Sequence, residues 1–67
     1  MEFELKDEYI TLAQLLKACD VVYSGGQAKE YLASMEVLVN GENENRRGKK
    51  IYHGDIVGTD GIRIEVK

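Results

Sequence analysis

The chain has 67 residues, 43% of them apolar and 31% charged, a net charge of −3, and neither Trp nor Pro. These values exclude a disordered tail, and the length predicts one domain over 1–67, which at this size buries only about 60% of its unfolded surface and has little room for a deep catalytic cleft. The single cysteine, Cys19, excludes an internal disulfide, no run approaches the ~20 apolar residues of a membrane span, and residues 1–8 are too acidic for a signal peptide, so a cytoplasmic protein is expected.

Residues 2–6 have strand periodicity, with Phe3 and Leu5 on one side and Glu2, Glu4 and Lys6 on the other. Residues 10–19 read as a short helix. Thr11 and Gln14 have capping-box spacing, and Ile10 and Leu15 have the spacing of a hydrophobic staple. Leu12, Leu15, Leu16 and Cys19 then fall on one apolar face, while Lys17 points elsewhere. Asp20-Val21-Val22-Tyr23 makes a tight connection. A second helix begins after Ser24, again with capping-box spacing to Gln27, and Ala28, Leu32 and Met35 lie along its apolar stripe. Gln27, Lys29 and Glu30 fall off that stripe.

After Met35 the period changes to two. Val37-Leu38-Val39 reads as a strand. Asn40-Gly41 is the strongest short hairpin signal, because a type I′ turn needs positive φ at both central residues. Glu42-Asn43-Glu44 returns as a polar strand at an edge, and residues 46–50 form an exposed loop. Ile51 begins the next pairing, Gly54-Asp55 turns the chain toward Ile56 and Val57, and Asp60-Gly61 makes a second hairpin. Ile62, Ile64 and Val66 alternate with Arg63, Glu65 and Lys67 as a half-buried closing strand. The expected fold class is α+β: two short helices packed on a small, mostly antiparallel sheet.

A net charge of −3 argues against nucleic acid, but the distribution of that charge does not. Arg46, Arg47, Lys49 and Lys50 put four cations into five consecutive residues, while the rest of the chain sets five cations against twelve carboxylates. Arg suits bidentate phosphate contact, Lys acts as a movable point charge, and Gly48 lets the backbone approach closely. Taken alone, such a loop is more often only a solvated face beside acidic neighbours such as Glu42, Glu44 and Asp55. The second candidate is Ser24-Gly25-Gly26-Gln27-Ala28-Lys29. A helix start exposes unpaired N–H groups and the positive end of the dipole, two Gly residues leave room for an anion, and Lys29 lies one turn inside. It lacks the spacing of a P-loop. Taken alone, a well-capped helix with an exposed lysine accounts for it more simply.

The ordered set Tyr9-Ile10-Thr11-Leu12, Ser24-Gly25-Gly26-Gln27-Ala28-Lys29, Val37-Leu38-Val39-Asn40-Gly41-Glu42, Glu44-Asn45-Arg46-Arg47-Gly48-Lys49-Lys50 and Gly54-Asp55-Ile56-Val57 closely resembles the RNA-binding domain named after ribosomal small-subunit protein S-four. It is most similar to the small standalone bacterial members of this S4-like family, over about residues 9–57. The resemblance implies an αL-type RNA-binding fold whose two helices and adjoining strand and loop form one surface for structured RNA. Family members include ribosomal proteins, pseudouridine synthases, rRNA methyltransferases, tyrosyl-tRNA synthetases and ribosome-associated stress proteins; in the larger enzymes another domain does the chemistry. Carried over by position, the implied RNA contacts are Ser24, Gln27, Lys29, Arg46, Arg47, Lys49 and Lys50, with Lys17 a weaker addition. The chain departs from the family pattern at Leu38, where relatives often carry a basic or polar residue, which puts one contact in doubt. Met35, His53 and Asn43 stand where Gly, Pro and an apolar residue are common.

No catalytic residue, metal or cofactor is expected. His53, the sole histidine, falls on a turn, and Cys19 falls on an apolar helix face, so the two cannot pair as nucleophile and base or supply a zinc site. Tyr9, Tyr23, Tyr31 and Tyr52 can stack on bases, although partial burial with a wet hydroxyl is more common. The expected function is binding of structured RNA, rRNA or tRNA, through backbone phosphates, in ribosome assembly or another ribosome-linked role, by a monomer acting on RNA or ribosomal particles and not on membranes. The alternative is a non-enzymatic protein-interaction adaptor whose basic loop docks an acidic partner.

Overall fold

The computed structural model describes residues 1–67. Its elements in chain order are β1 (Glu2–Phe3), β2 (Tyr9–Thr11), α1 (Leu12–Ala18), α2 (Gly25–Ser34), β3 (Val37–Val39), β4 (Glu42–Asn43), β5 (Lys50–Tyr52), β6 (Ile56–Thr59) and β7 (Ile62–Val66). The α+β architecture is the expected one, and no helix is long and apolar enough to cross a membrane.

The capping box at Thr11 sets the start of α1. The Gln14 N–H donates to Thr11 Oγ1 at 3.2 Å, and the Thr11 N–H donates to the Gln14 side-chain oxygen at 3.1 Å. Both bonds need Thr11 extended (φ −74°, ψ 155°), so Ile10 and Thr11, expected at the head of the helix, belong to a strand instead. Leu12, Leu15 and Leu16 are buried as the apolar face requires. At the far end Asp20 adopts φ +61°. Its N–H and that of Val21 return to the carbonyls of Lys17 (3.1 Å) and Leu16 (2.9 Å), the paired closure for which Gly is the usual left-handed residue. Asp20→Gly is therefore expected to raise stability by about 0.5–1 kcal/mol, because Gly occupies that conformation without the Cβ penalty. Urea unfolding checks this; an unchanged or lowered midpoint contradicts it.

Ser24 caps α2 by accepting the Gln27 N–H at 3.1 Å, but the Gln27 side chain reaches back to the Tyr23 N–H (2.6 Å) and not to that of Ser24. Ala28 and Leu32 are buried. Met35, expected on the same stripe, is 38% exposed, because the helix stops at Ser34 and Met35 is already extended at the C-cap.

The main sheet has the order β1-β7-β6-β3-β4. Only β1 and β7 run parallel; β7–β6, β6–β3 and β3–β4 are antiparallel. Both expected two-residue hairpins form, with φ positive at Asn40 (+52°) and Gly41 (+84°) and again at Asp60 (+48°) and Gly61 (+76°). The strand expected over residues 2–6 is only two residues long, but Leu5 beyond it is still buried. β4 is a short polar edge, which discourages pairing with another chain. β5 does not join this sheet. It pairs antiparallel with β2 in a separate two-stranded ladder.

A core of 13 buried residues joins Leu12, Leu15, Leu16, Ala28 and Leu32 of the helices to Val37, Val39, Val57, Ile64 and Val66 of the sheet, with Ile51 contributed by β5. The one buried polar residue, Thr59, donates to the Glu36 carbonyl (3.0 Å), which leaves its oxygen to accept from the Tyr31 hydroxyl (2.7 Å). The His53 ring lies between two backbone carbonyls, with Nε2 2.8 Å from Asp7 O and Nδ1 2.9 Å from Lys67 O. It joins the segment before β2 to the end of β7. The Asn40 side chain ties its hairpin to the turn before β6. It donates to Asp55 Oδ1 (3.0 Å) and accepts the Ile56 N–H (2.9 Å), while Asp55 Oδ2 accepts the Tyr52 N–H (2.8 Å).

Candidate nucleic-acid interface

The N-terminus of α1 holds the basic segment in place. Leu12 and Ala13 are the first two residues of the helix, and their N–H groups need acceptors from outside it. The Lys49 carbonyl takes the first (2.8 Å) and the Arg47 carbonyl the second (3.0 Å). A turn closed by the Lys49 N–H on the Arg46 carbonyl (3.2 Å) completes the loop. The four cations therefore project from a backbone that is bonded down at both ends. Lys50, expected in the loop, is the first residue of β5, opposite Thr11.

The second cluster lies at the other end of α1. That helix has seven residues, so it is about 10 Å long. The connection after it folds back on Leu16, and α2 begins there. The Gly25 and Gly26 N–H groups have no acceptor in the protein. A Cβ added at either glycine would meet nothing within 4 Å, and neither has a positive φ, so the fold does not require Gly at these positions. What the two glycines leave is open access to two free N–H groups at the positive end of a helix. The Ser24 and Gln27 side chains use oxygens in capping and keep their O–H and NH₂ donors free. Lys29 is exposed one turn further on, and Lys17 is exposed on the last turn of α1.

The cations differ in their pairing. Of the nine, Arg46, Arg63 and Lys67 have a carboxylate within 4.0 Å. The six without one are Lys6, Lys17, Lys29, Arg47, Lys49 and Lys50, and five of these are among the expected contacts. Arg46 is different. Its Nε and Nη2 donate to the two oxygens of Glu44, both at 2.9 Å, and its own N–H donates to the same carboxylate at 3.0 Å. Sequence reasoning placed Glu44 among the acidic neighbours but missed this fork; the Glu-x-Arg spacing of residues 44 and 46 is the signal that could have found it.

The fork has a pH signature. The Arg46 side chain, and next the Arg46 N–H, hold the Glu44 carboxyl at about 2, below its ordinary 4.5. Because the folded value is the depressed one, the stabilisation is fully present above pH 4.5 and is lost as pH falls through about 2. Glu44 is expected to titrate near pH 2 by carboxyl-carbon NMR, and Arg46→Ala should return it toward 4.5. A Glu44 titration near 4.5 in the unaltered protein contradicts the fork. At Cys19 burial, aided by Asp20, pushes the thiol up, which keeps it protonated and inert.

Two helices on a mostly antiparallel sheet, with a basic loop seated on the first helix, match the S4-like arrangement. The chain belongs to the S4 domain family, whose model matches residues 3–67. That match is longer than the expected span of residues 9–57, and it takes in Phe3 of β1 and all of β7, which pair with each other in the main sheet. A protein of Bacillus subtilis (strain 168), described as the probable ribosome maturation protein RlbA, is 57% identical to this chain over 55 residues, 82% of this chain and 78% of that protein.

Proposed function

We propose that the chain is a single-domain, non-catalytic RNA-binding module that grips structured RNA by its phosphates, in the cytoplasm and in ribosome maturation. Arg46, Arg47, Lys49 and Lys50 hold one stretch of backbone. The start of α2, with Ser24, Gln27, Lys29 and the free N–H groups of Gly25 and Gly26, holds another. Lys17 adds charge near the second. The observation that carries this reading is the division of labour in the basic loop: the carbonyls of Arg47 and Lys49 are taken by α1, and its cations, apart from Arg46, are left without a carboxylate partner. The carbonyls satisfy the start of α1, and the same anchoring gives a phosphate clamp a fixed spacing of charges. The Glu44 fork holds Arg46 in one orientation with Nη1 still free to donate.

Membership of the S4 domain family supports RNA as the ligand, and the description of the Bacillus subtilis relative supports the ribosomal setting. Backbone contacts carry little sequence information, so shape selects the RNA. Apart from Glu42, Glu44 and Asp55 beside the basic loop, the carboxylates lie elsewhere, where they repel RNA and restrict the docking orientation. The test is in-cell UV crosslinking with sequencing of the recovered RNA, run beside a variant with Arg46, Arg47, Lys49 and Lys50 all changed to Glu. Enriched rRNA or tRNA sites that vanish in the variant are the expected result. A well-expressed protein that recovers no RNA overturns the reading and favours an adaptor that docks an acidic protein.

A further inference from the structure

The two-stranded ladder of β2 and β5 has an outer face that the fold does not use. Its pairs are Tyr9 with Tyr52, Ile10 with Ile51, and Thr11 with Lys50. Alternation turns Ile10 and Ile51 inward; Ile51 is fully buried and Ile10 packs on the core. Tyr9, Tyr52 and Lys50 are left outward. Tyr9 is 39% and Tyr52 44% exposed, their ring centroids are 6.1 Å apart, and Lys50 Nζ stands 4.8 Å from the centre of the Tyr9 ring. Neither hydroxyl has a hydrogen-bond partner, in contrast to that of Tyr31. Thr or Lys at these positions would serve the ladder as well and expose less apolar surface.

Beside Tyr52 lies an open cleft of about 360 Å³. Several of its walls are already engaged: Asn40 and Asp55 bond to each other and to backbone N–H groups, and Glu44 is held by Arg46. The groups left to meet a ligand are the Tyr52 ring, the Asn43 amide, the Glu42 carboxylate, the Lys49 ammonium and the Lys50 ammonium, which lies over the Tyr9 ring but has no carboxylate partner. An aromatic face, two cations without carboxylate partners, and an amide and a carboxylate at the edge match the parts of a nucleotide: a base plane, a phosphate and a hydrogen-bonding base edge. The volume is in the range of small-ligand pockets, roughly 300–1,000 Å³.

We propose that this cleft receives one unpaired nucleotide of the bound RNA, its base stacked on Tyr52 and its phosphate held by Lys49 and Lys50. The inference rests on the RNA-binding reading and adds to it a selection that backbone contacts cannot make. A duplex offers no exposed base plane, so the cleft favours RNA with a bulge or loop next to the gripped backbone. Tyr9 acts through its neighbours: its ring packs against that of Tyr52 and holds the Lys50 ammonium over its face.

The test compares two probes, a fully paired RNA hairpin and the same hairpin with one bulged adenosine. The wild type is expected to bind the bulged hairpin at least about fivefold more tightly, the lower end of what one stacked base contributes. Tyr52→Leu keeps the bulk but removes the ring, and it should abolish that preference without changing the salt dependence. Tyr52→Phe, which keeps the ring, should retain it. Because the chain has no Trp, tyrosine emission is a second readout, quenched by the bulged hairpin in the wild type and less so in Tyr52→Leu. Equal affinity of the wild type for both hairpins, or a preference that survives in Tyr52→Leu, overturns the stacking cleft. If both hairpins then bind and Lys49→Glu with Lys50→Glu abolishes both, the phosphate grip stands and only the cleft is lost. If neither hairpin binds the wild type at low salt, the RNA-binding reading falls and the cleft falls with it.

Discussion

Changing Arg47, Lys49 and Lys50 together to Glu is expected to weaken binding to structured RNA by at least about 100-fold near 0.1 M salt. Each phosphate contact contributes roughly 0.7 to the slope of log affinity against log salt, taking the single-strand value, which is about fivefold per contact at 0.1 M. Three lost contacts compound to about 100-fold, before any repulsion by the new carboxylates. With about four contacts in all, the wild type should show a slope near −3, so raising salt from 50 to 200 mM lowers its affinity roughly 50-fold. The variant should keep only the shallow slope of the remaining contacts. Fluorescence anisotropy over a salt series checks both numbers. Unchanged affinity in the triple variant would remove the loop from the mechanism. The folded state should tolerate the change, because the loop is bonded to α1 through backbone carbonyls that the substitutions leave in place.

Ile51→Ala is the second large effect, and it acts on stability. Ile51 is fully buried at the back of β5 and is the only residue of that strand in the core. Truncation of a buried Ile costs about 2–5 kcal/mol. A core this small rarely supplies more than ~3–5 kcal/mol in all, so the variant should be largely unfolded at 25 °C. RNA binding then disappears together with the helical circular dichroism signal. The charge-reversed loop, in contrast, should lose binding with its spectrum intact. A well-folded Ile51→Ala with a midpoint close to wild type would show that the β2–β5 ladder is not coupled to the core as the packing indicates.

The caps and hairpins were legible in chain order because their geometry closes within a few residues. Thr11 with Gln14, Ser24 with Gln27, Asn40-Gly41 and Asp60-Gly61 each satisfy a local rule, and all four form as expected apart from the one-residue displacement of the Gln27 side-chain bond. The alternation of Ile62, Ile64 and Val66 was readable for the same reason: one face must be apolar wherever the sheet meets the core. The family assignment came from ordered motifs spread across the chain, a signal that no single motif carries.

Three features needed distant contacts and left no local trace. Tyr9–Thr11 is too short for its period to show, and it is a strand only because residues 50–52 lie beside it. The anchoring of the basic loop needs the two unpaired N–H groups of α1 to meet carbonyls more than thirty positions away, which no spacing rule encodes. The cleft beside Tyr52 has walls from β3, β4, β5 and the turn before β6, so it exists only once the β3–β4 hairpin and that turn are drawn together, as the Asn40–Asp55 bond does. Local sequence specified the elements and the charge of the loop. Packing decided which N–H groups, cations and ring faces remain without a partner, because satisfaction of each depends on what the rest of the chain brings within bonding distance.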